Sequence, residues 1–271
     1  MSTQAETARR FMELHKPGEP LLLPNPWDAG SAVLLASLGF QALATTSSGF
    51  AATLGRGDGR VSRDEAIAHA AAIVAATELP VSADLEDCFA TDPSGVAETV
   101  RLAIGAGLAG CSVEDYSRND DDPIFGLELA TDRVAAAAEV AHSGPVHFVL
   151  TARAENYLHG RPDLGDTIAR LQAFQQAGAD VLYAPGMRSI EDIRLVLSEV
   201  DRPVNVLAMP GVPPVPELAV AGVARVSVGG AFAFTAIGAL VNAATELRDQ
   251  GTYGYRSLSA IGRDAVQRAF S

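Results

Sequence analysis

Cysteine is almost missing from this chain: of 271 residues only Cys88 and Cys111 carry a thiol. Neither has a metal-type partner at short spacing, so a zinc cage and a disulfide framework are both excluded, and two buried thiols in a reducing cytoplasm are expected. Blocks of Lys and Arg are missing too, and the formal net charge is −13. Nucleic acid and anionic membrane surfaces are poor partners for such a chain, because both require concentrated positive charge. No run of about 18 apolar residues occurs, which leaves nothing to span a bilayer. The opening "MSTQAETARRFMELHKPGEP" lacks the apolar centre of a signal peptide and reads as a helix. There is no Pro/Ser-rich linker, so residues 1–271 read as one domain. No G-x-G-x-x-G follows the first strand, and "GRGDGR" at 55–60 reads as a loop.

What the sequence does contain is repetition. A helix-ending glycine followed by an apolar run recurs in "LGFQALATTSS", "AGLAGCSVEDY", "AGADVLYAPG" and "AGVARVSVGG". Gly39, Gly107, Gly178 and Gly222 fit the left-handed position that closes a helix. A proline leads straight into "LPVSADLED", "GPVHFVLTARAE" and "RPVNVLAMPG". Helical periodicity fills 64–78, 94–106, 128–142 and 165–177. With "PLLLPNPWDAGSA" the count is eight strands, each followed by a helical stretch, which predicts a (β/α)8 barrel of the TIM type. A doubly wound open sheet is the alternative.

Polar residues gather where those strands end, the face on which barrel active sites form. Thr45, Thr46 and Ser47 follow strand two; Asp84, Glu86 and Asp87 follow strand three; Glu114 and Asp115 end strand four; Arg153, Glu155 and Asn156 end strand five. Asp84, Glu86 and Glu114 are expected to converge. Carboxylates without Cys or His pairs favour a hard cation, Mg²⁺ or Mn²⁺, that chelates a 2-oxo acid and stabilises an enolate. Arg153 offers a planar fork for a substrate carboxylate, and Thr45 to Ser47 offer donors to a second anionic group. Each feature also has a plainer reading. "DLED" could cap the next helix, and Arg153 could neutralise Glu155 or Glu114. His159 reads as a surface loop residue, Cys111 as core, and "NDDDP" at 119–123 as a solvated loop.

"SADLEDCFA", "SVEDY", "TARAENY" and "LGRGD", set within a match from "NPWDAGSA" through "VARVSVGG", resemble the isocitrate lyase/phosphoenolpyruvate mutase superfamily. The resemblance implies that Asp84 and Glu86 hold Mg²⁺ directly or through water with Glu114 in support. It implies that Arg153 binds substrate, that Thr45, Thr46 and Ser47 cradle its carboxylate, and that Asp58 belongs to the catalytic set. It further implies a barrel whose last helix, "AFAFTAIGALVNAATEL", packs on a neighbouring subunit of a dimer or tetramer. The chain departs from isocitrate and methylisocitrate lyases in the loop "YSRNDDDPIFGLEL", which lacks their Lys-Cys-Gly-His motif. Tyr116, or a water near Glu114, replaces that thiol as candidate proton donor. The "YAPGM" strand end lacks an acidic residue, and Glu86 stands where a second Asp is usual. The expected activity is Mg²⁺-dependent cleavage or decarboxylation of a small 2-oxo or 2-hydroxy di-acid. C–P chemistry and a non-catalytic oxo-acid-binding barrel are the alternatives.

Overall fold

The computed structural model describes residues 3–270. Eight strands form one parallel sheet: β1 (Leu21–Leu23), β2 (Leu43–Ala44), β3 (Val81–Asp84), β4 (Gly110–Glu114), β5 (Val149–Arg153), β6 (Val181–Tyr183), β7 (Val204–Leu207) and β8 (Arg225–Ser227). Their order is β1-β8-β7-β6-β5-β4-β3-β2, so chain order is followed around the sheet. Across the remaining seam the Ala44 N–H donates to the Pro24 carbonyl at 3.1 Å. The sheet is therefore a nearly closed (β/α)8 barrel, as the alternating pattern predicts, and not an open doubly wound sheet.

The helices are α1 (Gln4–Glu13), α2 (Ala29–Ser37), α3 (Ser47–Thr53), α4 (Arg63–Ala75), α5 (Pro93–Gly105), α6 (Leu127–Ser143), α7 (Leu164–Gln176), α8 (Ile190–Glu199), α9 (Val215–Ala221), α10 (Ala231–Gln250) and α11 (Arg256–Ala269). Short polar side chains start most of them: Thr3, Asp28, Ser62, Asp92, Asp163 and Ser189 each accept a backbone N–H of the first turn. Gly39, Gly107, Gly178 and Gly222 all lie at φ between 87° and 106°, as their place after a helix requires.

Two apolar layers fix the barrel. Leu43, Ile73, Val100, Leu150, Phe174 and Val196 belong to the layer between strands and helices. A second cluster plugs the amino-terminal end, where Ala8 and Phe11 of α1 pack on Leu21, Leu23, Val149 and Val181. That plug leaves the carboxyl end as the open face. The barrel interior departs from the apolar strands of the sequence reading, because Ser82, Ser112, Thr151, Asn205, Arg225 and Ser227 are all buried polar side chains on strands. Sequence periodicity also missed α11, which follows α10 after the left-handed Gly251. Among the described residues no helix is long and apolar enough to cross a membrane.

Candidate active site

A cavity of about 150 Å³ opens at the carboxyl ends of the strands. Its wall includes Thr45, Thr46, Ser47, Asp58, Asp84 and Arg153, six of the residues singled out from sequence. Asn25 ties its rim together. The Asn25 amide donates to the Thr45 carbonyl at 2.8 Å, and its oxygen accepts the Val228 and Gly229 N–H groups at 3.0 and 2.9 Å. One side chain thus joins the ends of β1, β2 and β8. The mouth beside β8 is tight: a Cβ on Gly230 would come within 2.5 Å of the Ser48 hydroxyl.

Asp84 and Arg153 form the centre. Asp84 Oδ2 accepts the Ser47 N–H at 3.0 Å, while its own N–H donates to Thr45 Oγ1 at 2.9 Å. Arg153 Nη1 donates to Asp84 Oδ1 at 2.9 Å, and its Nε donates to Glu155 Oε1 at 2.8 Å. Its Nη2 lies 3.2 Å from Glu114 Oε2, and the guanidinium carbon sits 5.2 Å from the centre of the Tyr183 ring. Burial works against the Arg153 charge, but Glu155, Glu114 and Asp84 outweigh it and hold this group well above its usual range.

Three carboxylates around one guanidinium would, if all were ionised, leave two negative charges uncompensated. The Glu114 carboxyl responds accordingly: desolvation, with Glu155 and Asp84 beside it, raises it well above the carboxylate range despite Arg153. Glu86 is pushed up to about 7, first by burial and then by Asp84. Asp58 is exposed as a residue, yet its carboxyl faces the cavity; partial desolvation and Asp84 raise it, against a hydrogen bond from Ser47. Oxygen donors with surplus negative charge are the donor set a hard divalent cation takes. In donor chemistry, though not as a closed ligand set, the residues fit Mg²⁺.

The carboxylates do not close on one point, as the strand-end reading expected. Among the described residues Asp84, Glu86 and Glu114 form no mutual group of metal-ligand atoms within 4.8 Å. Arg153 stands between Asp84 and Glu114, and Glu86 turns to Arg118 Nη2 at 2.9 Å. Asp87 is explained by local structure. It accepts the Phe89 N–H at 2.9 Å and a two-pronged contact from Arg118, Nε at 2.8 Å and Nη2 at 2.9 Å.

That contact holds down the loop after β4. Arg118 also donates to the Gly59 carbonyl at 3.1 Å, linking this loop to the "LGRGD" segment that carries Asp58. Backbone strain gathers here: Glu86, Cys88, Phe89 and Arg118 all have φ between 53° and 60°, which costs side-chain-bearing residues about 1 kcal/mol or more each. Buried Arg133 braces the turn, donating to the carbonyls of Glu114, Asp87 and Ala90, and Thr99 donates to the Cys88 carbonyl at 2.7 Å.

Tyr116 does not line the cavity. It stacks on His159 with ring centres 3.9 Å apart, and His159 Nε2 lies 3.7 Å from Glu155 Oε2. His159, read as a surface residue, is thus half-buried behind the Arg153 cluster. The "NDDDP" residues 119–121 are exposed as expected, and Asp122 pairs with Arg161 at 3.0 Å. Sequence reasoning missed Asn25, Asn205, Arg225 and Ser227 in the cavity wall. It also missed the buried Asp115–Arg170 pair at 3.0 Å, which holds the Glu155 N–H in place through Asp115.

Residues 11–248 match the family model described as phosphoenolpyruvate phosphomutase. A crystal structure from Burkholderia cenocepacia J2315, provisionally assigned as a lyase/mutase, is 50% identical and superposes with a TM-score of 0.95, covering 99% of this chain and 96% of that one. Oxaloacetate acetylhydrolase, crystallised with its product oxalate, is 25% identical with a TM-score of 0.84 over 94% of this chain and 90% of its own. The 2-methylisocitrate lyase of Halalkalibacterium halodurans is 29% identical over 208 residues, 74% of this chain and 67% of that relative.

Proposed function

The chain belongs to the phosphoenolpyruvate phosphomutase family, within the isocitrate lyase/phosphoenolpyruvate mutase superfamily, and from that premise we propose that it is a Mg²⁺-dependent carbon–carbon lyase or decarboxylase. Its substrate is a small 2-oxo or 2-hydroxy di-acid, cleaved through an enolate. The observation that carries this reading is the Asp84–Arg153–Glu114 cluster, which sets carboxyl oxygens and a buried cation beside a cavity sized for a compact acid. Oxaloacetate acetylhydrolase is named for a di-acid of this size, and 2-methylisocitrate lyase for a larger hydroxy acid.

Asp84 would hold the ion, with Glu86 and Glu114 supporting it directly or through water, and Mg²⁺ bound there would supply the charge that stabilises an enolate oxygen. Arg153 orients one substrate carboxylate with its fork, and Thr45, Thr46 and Ser47 face the other from the rim. Asp58, with its raised carboxyl at the mouth, takes the proton of a 2-hydroxyl group as the adjacent C–C bond breaks. The electrons of that bond form the enolate, and a proton delivered to its carbon completes the product. Tyr116, or a water beside Glu114, delivers that proton; Tyr116 must leave its stack on His159 to do so. In decarboxylation CO₂ departs and the same protonation follows.

Arg118 pins the loop after β4 to the segment after β3 by gripping Asp87 and Glu86. The grip also uses up the one cation the loop could offer a phosphonate, which argues against C–P chemistry. The exposed apolar residues of α10 and α11 fit burial in a dimer or tetramer, and two buried thiols fit a cytoplasmic setting. The test is metal-dependent turnover of a 2-oxo or 2-hydroxy di-acid, abolished by Asp84→Ala together with Mg²⁺ binding measured by calorimetry. Equal Mg²⁺ affinity in wild type and variant would return Asp84 to a structural role.

A further inference from the structure

At the amino-terminal end of the barrel, opposite the candidate active site, two imidazoles share one carboxylate. His142 lies in the last turn of α6, His147 in the connection to β5, and Asp180 just before β6. His142 Nε2 is 3.0 Å from Asp180 Oδ2, and His147 Nε2 is 3.0 Å from Asp180 Oδ1. The rings lie parallel, 6° apart in plane with centres 4.4 Å apart. Asp180 is almost fully buried and its Oδ2 also accepts the Leu150 N–H at 2.9 Å, so the carboxylate is held before any ligand arrives.

We propose that His142, His147 and Asp180 form a second metal site, selective for a borderline transition ion of the Zn²⁺ class. Among the described residues these are the side chains that bring three metal-ligand atoms within 4.8 Å of one another. Two imidazole nitrogens with one carboxylate oxygen suit Zn²⁺, Co²⁺ or Ni²⁺ rather than Mg²⁺. A tetrahedral ion with bonds of about 2.0–2.1 Å spaces its ligands roughly 3.3–3.4 Å apart. The two 3.0 Å nitrogen–oxygen separations run to different oxygens of Asp180 and the rings lie parallel, so to share one ion a ring must turn until both Nε2 lone pairs point at it, a turn that half-exposed His147 has room to make. His147 has 53% of its side chain exposed, so solvent can reach the ion and fill a fourth position. Bound there, the ion ties α6 to the starts of β5 and β6 and closes the base of the barrel. An imidazolium has no lone pair for the ion, so affinity falls on acidification.

The experiment uses the untagged, metal-stripped full chain. Zn²⁺ should bind with one equivalent at this site and raise the melting temperature, and Co²⁺ should give the intense visible absorption of four-coordinate geometry. Loss of even an outer partner of a metal site costs about 10- to 100-fold in affinity, so His147→Asn and His142→Asn should each weaken Zn²⁺ binding by at least about 100-fold. Both variants should retain wild-type Mg²⁺-dependent turnover, and Asp84→Ala should retain the Zn²⁺ affinity of this site. Zn²⁺ affinity unchanged in both histidine variants, or lost in Asp84→Ala, would overturn the proposal, as would the absence of Zn²⁺ binding to wild type.

Discussion

Replacing Arg153 by lysine keeps the positive charge and removes the fork. In the structure the guanidinium meets Glu155 through both Nε and Nη2 at 2.8 Å, Asp84 at 2.9 Å and Glu114 at 3.2 Å. Those contacts use four of the five guanidinium N–H groups and leave one for a substrate, whereas one ammonium cannot reach three carboxylates and keep any donor free. A charge-assisted hydrogen bond is worth ~1.5–3 kcal/mol, so losing the remaining donor in this buried site should cost about that much ligand affinity. That corresponds to oxalate binding roughly 10- to 150-fold weaker in the presence of Mg²⁺. Calorimetric titration of wild type and Arg153→Lys with oxalate reads the difference, and thermal unfolding checks that the fold survives. Because the charge stays, the folded state avoids the larger penalty of an uncompensated carboxylate cluster. Oxalate affinity unchanged in a folded Arg153→Lys protein would make Arg153 a counter-ion only, and the substrate carboxylate would have to bind elsewhere.

Three further outcomes follow from particular contacts. Arg118→Ala removes the grip on Asp87 and Glu86, and KM should rise about tenfold, a loss of ~1.4 kcal/mol; an unchanged KM would detach the loop from the site. His15 is buried, donates from Nδ1 to the Phe11 carbonyl and accepts from Arg225, and desolvation first and Arg225 second push it down to about 3. The unfolded chain then binds a proton that the native state refuses, so stability falls as pH drops below about 6.5. By pH 4 the loss approaches roughly 3 kcal/mol. Denaturant titrations of His15→Gln should lack that part of the slope, and a slope equal to wild type would contradict the assignment. Phe234, Leu240 and Val241 of α10 and Leu258 and Ile261 of α11 are all more than half exposed, which a stable monomer would not tolerate together. Light scattering should give a dimer or tetramer that Val241→Glu splits, whereas a wild-type monomer at micromolar concentration would refute the assembly.

The barrel was legible because each strand start carries a local mark. Gly39, Gly107, Gly178 and Gly222 need left-handed backbone, and the prolines before β3, β5 and β7 stop what precedes them. The centre of the site was legible for a similar reason, since Asp84, Glu114 and Arg153 sit at consecutive strand ends that the parallel register brings together. The direction in which a side chain turns was not. Glu86 follows β3 at φ 53° and swings toward Arg118, a residue on another loop, which no spacing rule anticipates. Arg225 and Ser227 in "ARVSV" and Asn205 in "VNVL" were signalled faintly, as polar residues alternating with apolar ones. Their pairing, with Arg225 Nε donating to Asn205 at 3.0 Å, depends on the neighbouring registers of β7 and β8. The His142–Asp180 contact joins residues 38 apart in sequence and is equally a product of closure.

The most direct test of the proposed chemistry is one reaction panel. Purified protein with Mg²⁺ is given 2-oxo and 2-hydroxy di-acids alongside phosphonopyruvate and followed by proton and phosphorus NMR. An enolate carboxylate lyase predicts slow C–C cleavage or decarboxylation of at least one di-acid. That reaction should vanish with chelation or with Asp84→Ala, while phosphonopyruvate persists. Slowness follows from the loop after β4, where Tyr116 or water must do what a poised thiol would do faster. Rapid loss of phosphonopyruvate with every di-acid untouched would contradict the account, because the acidic loop, with Arg118 engaged, offers no free cation for a phosphonate.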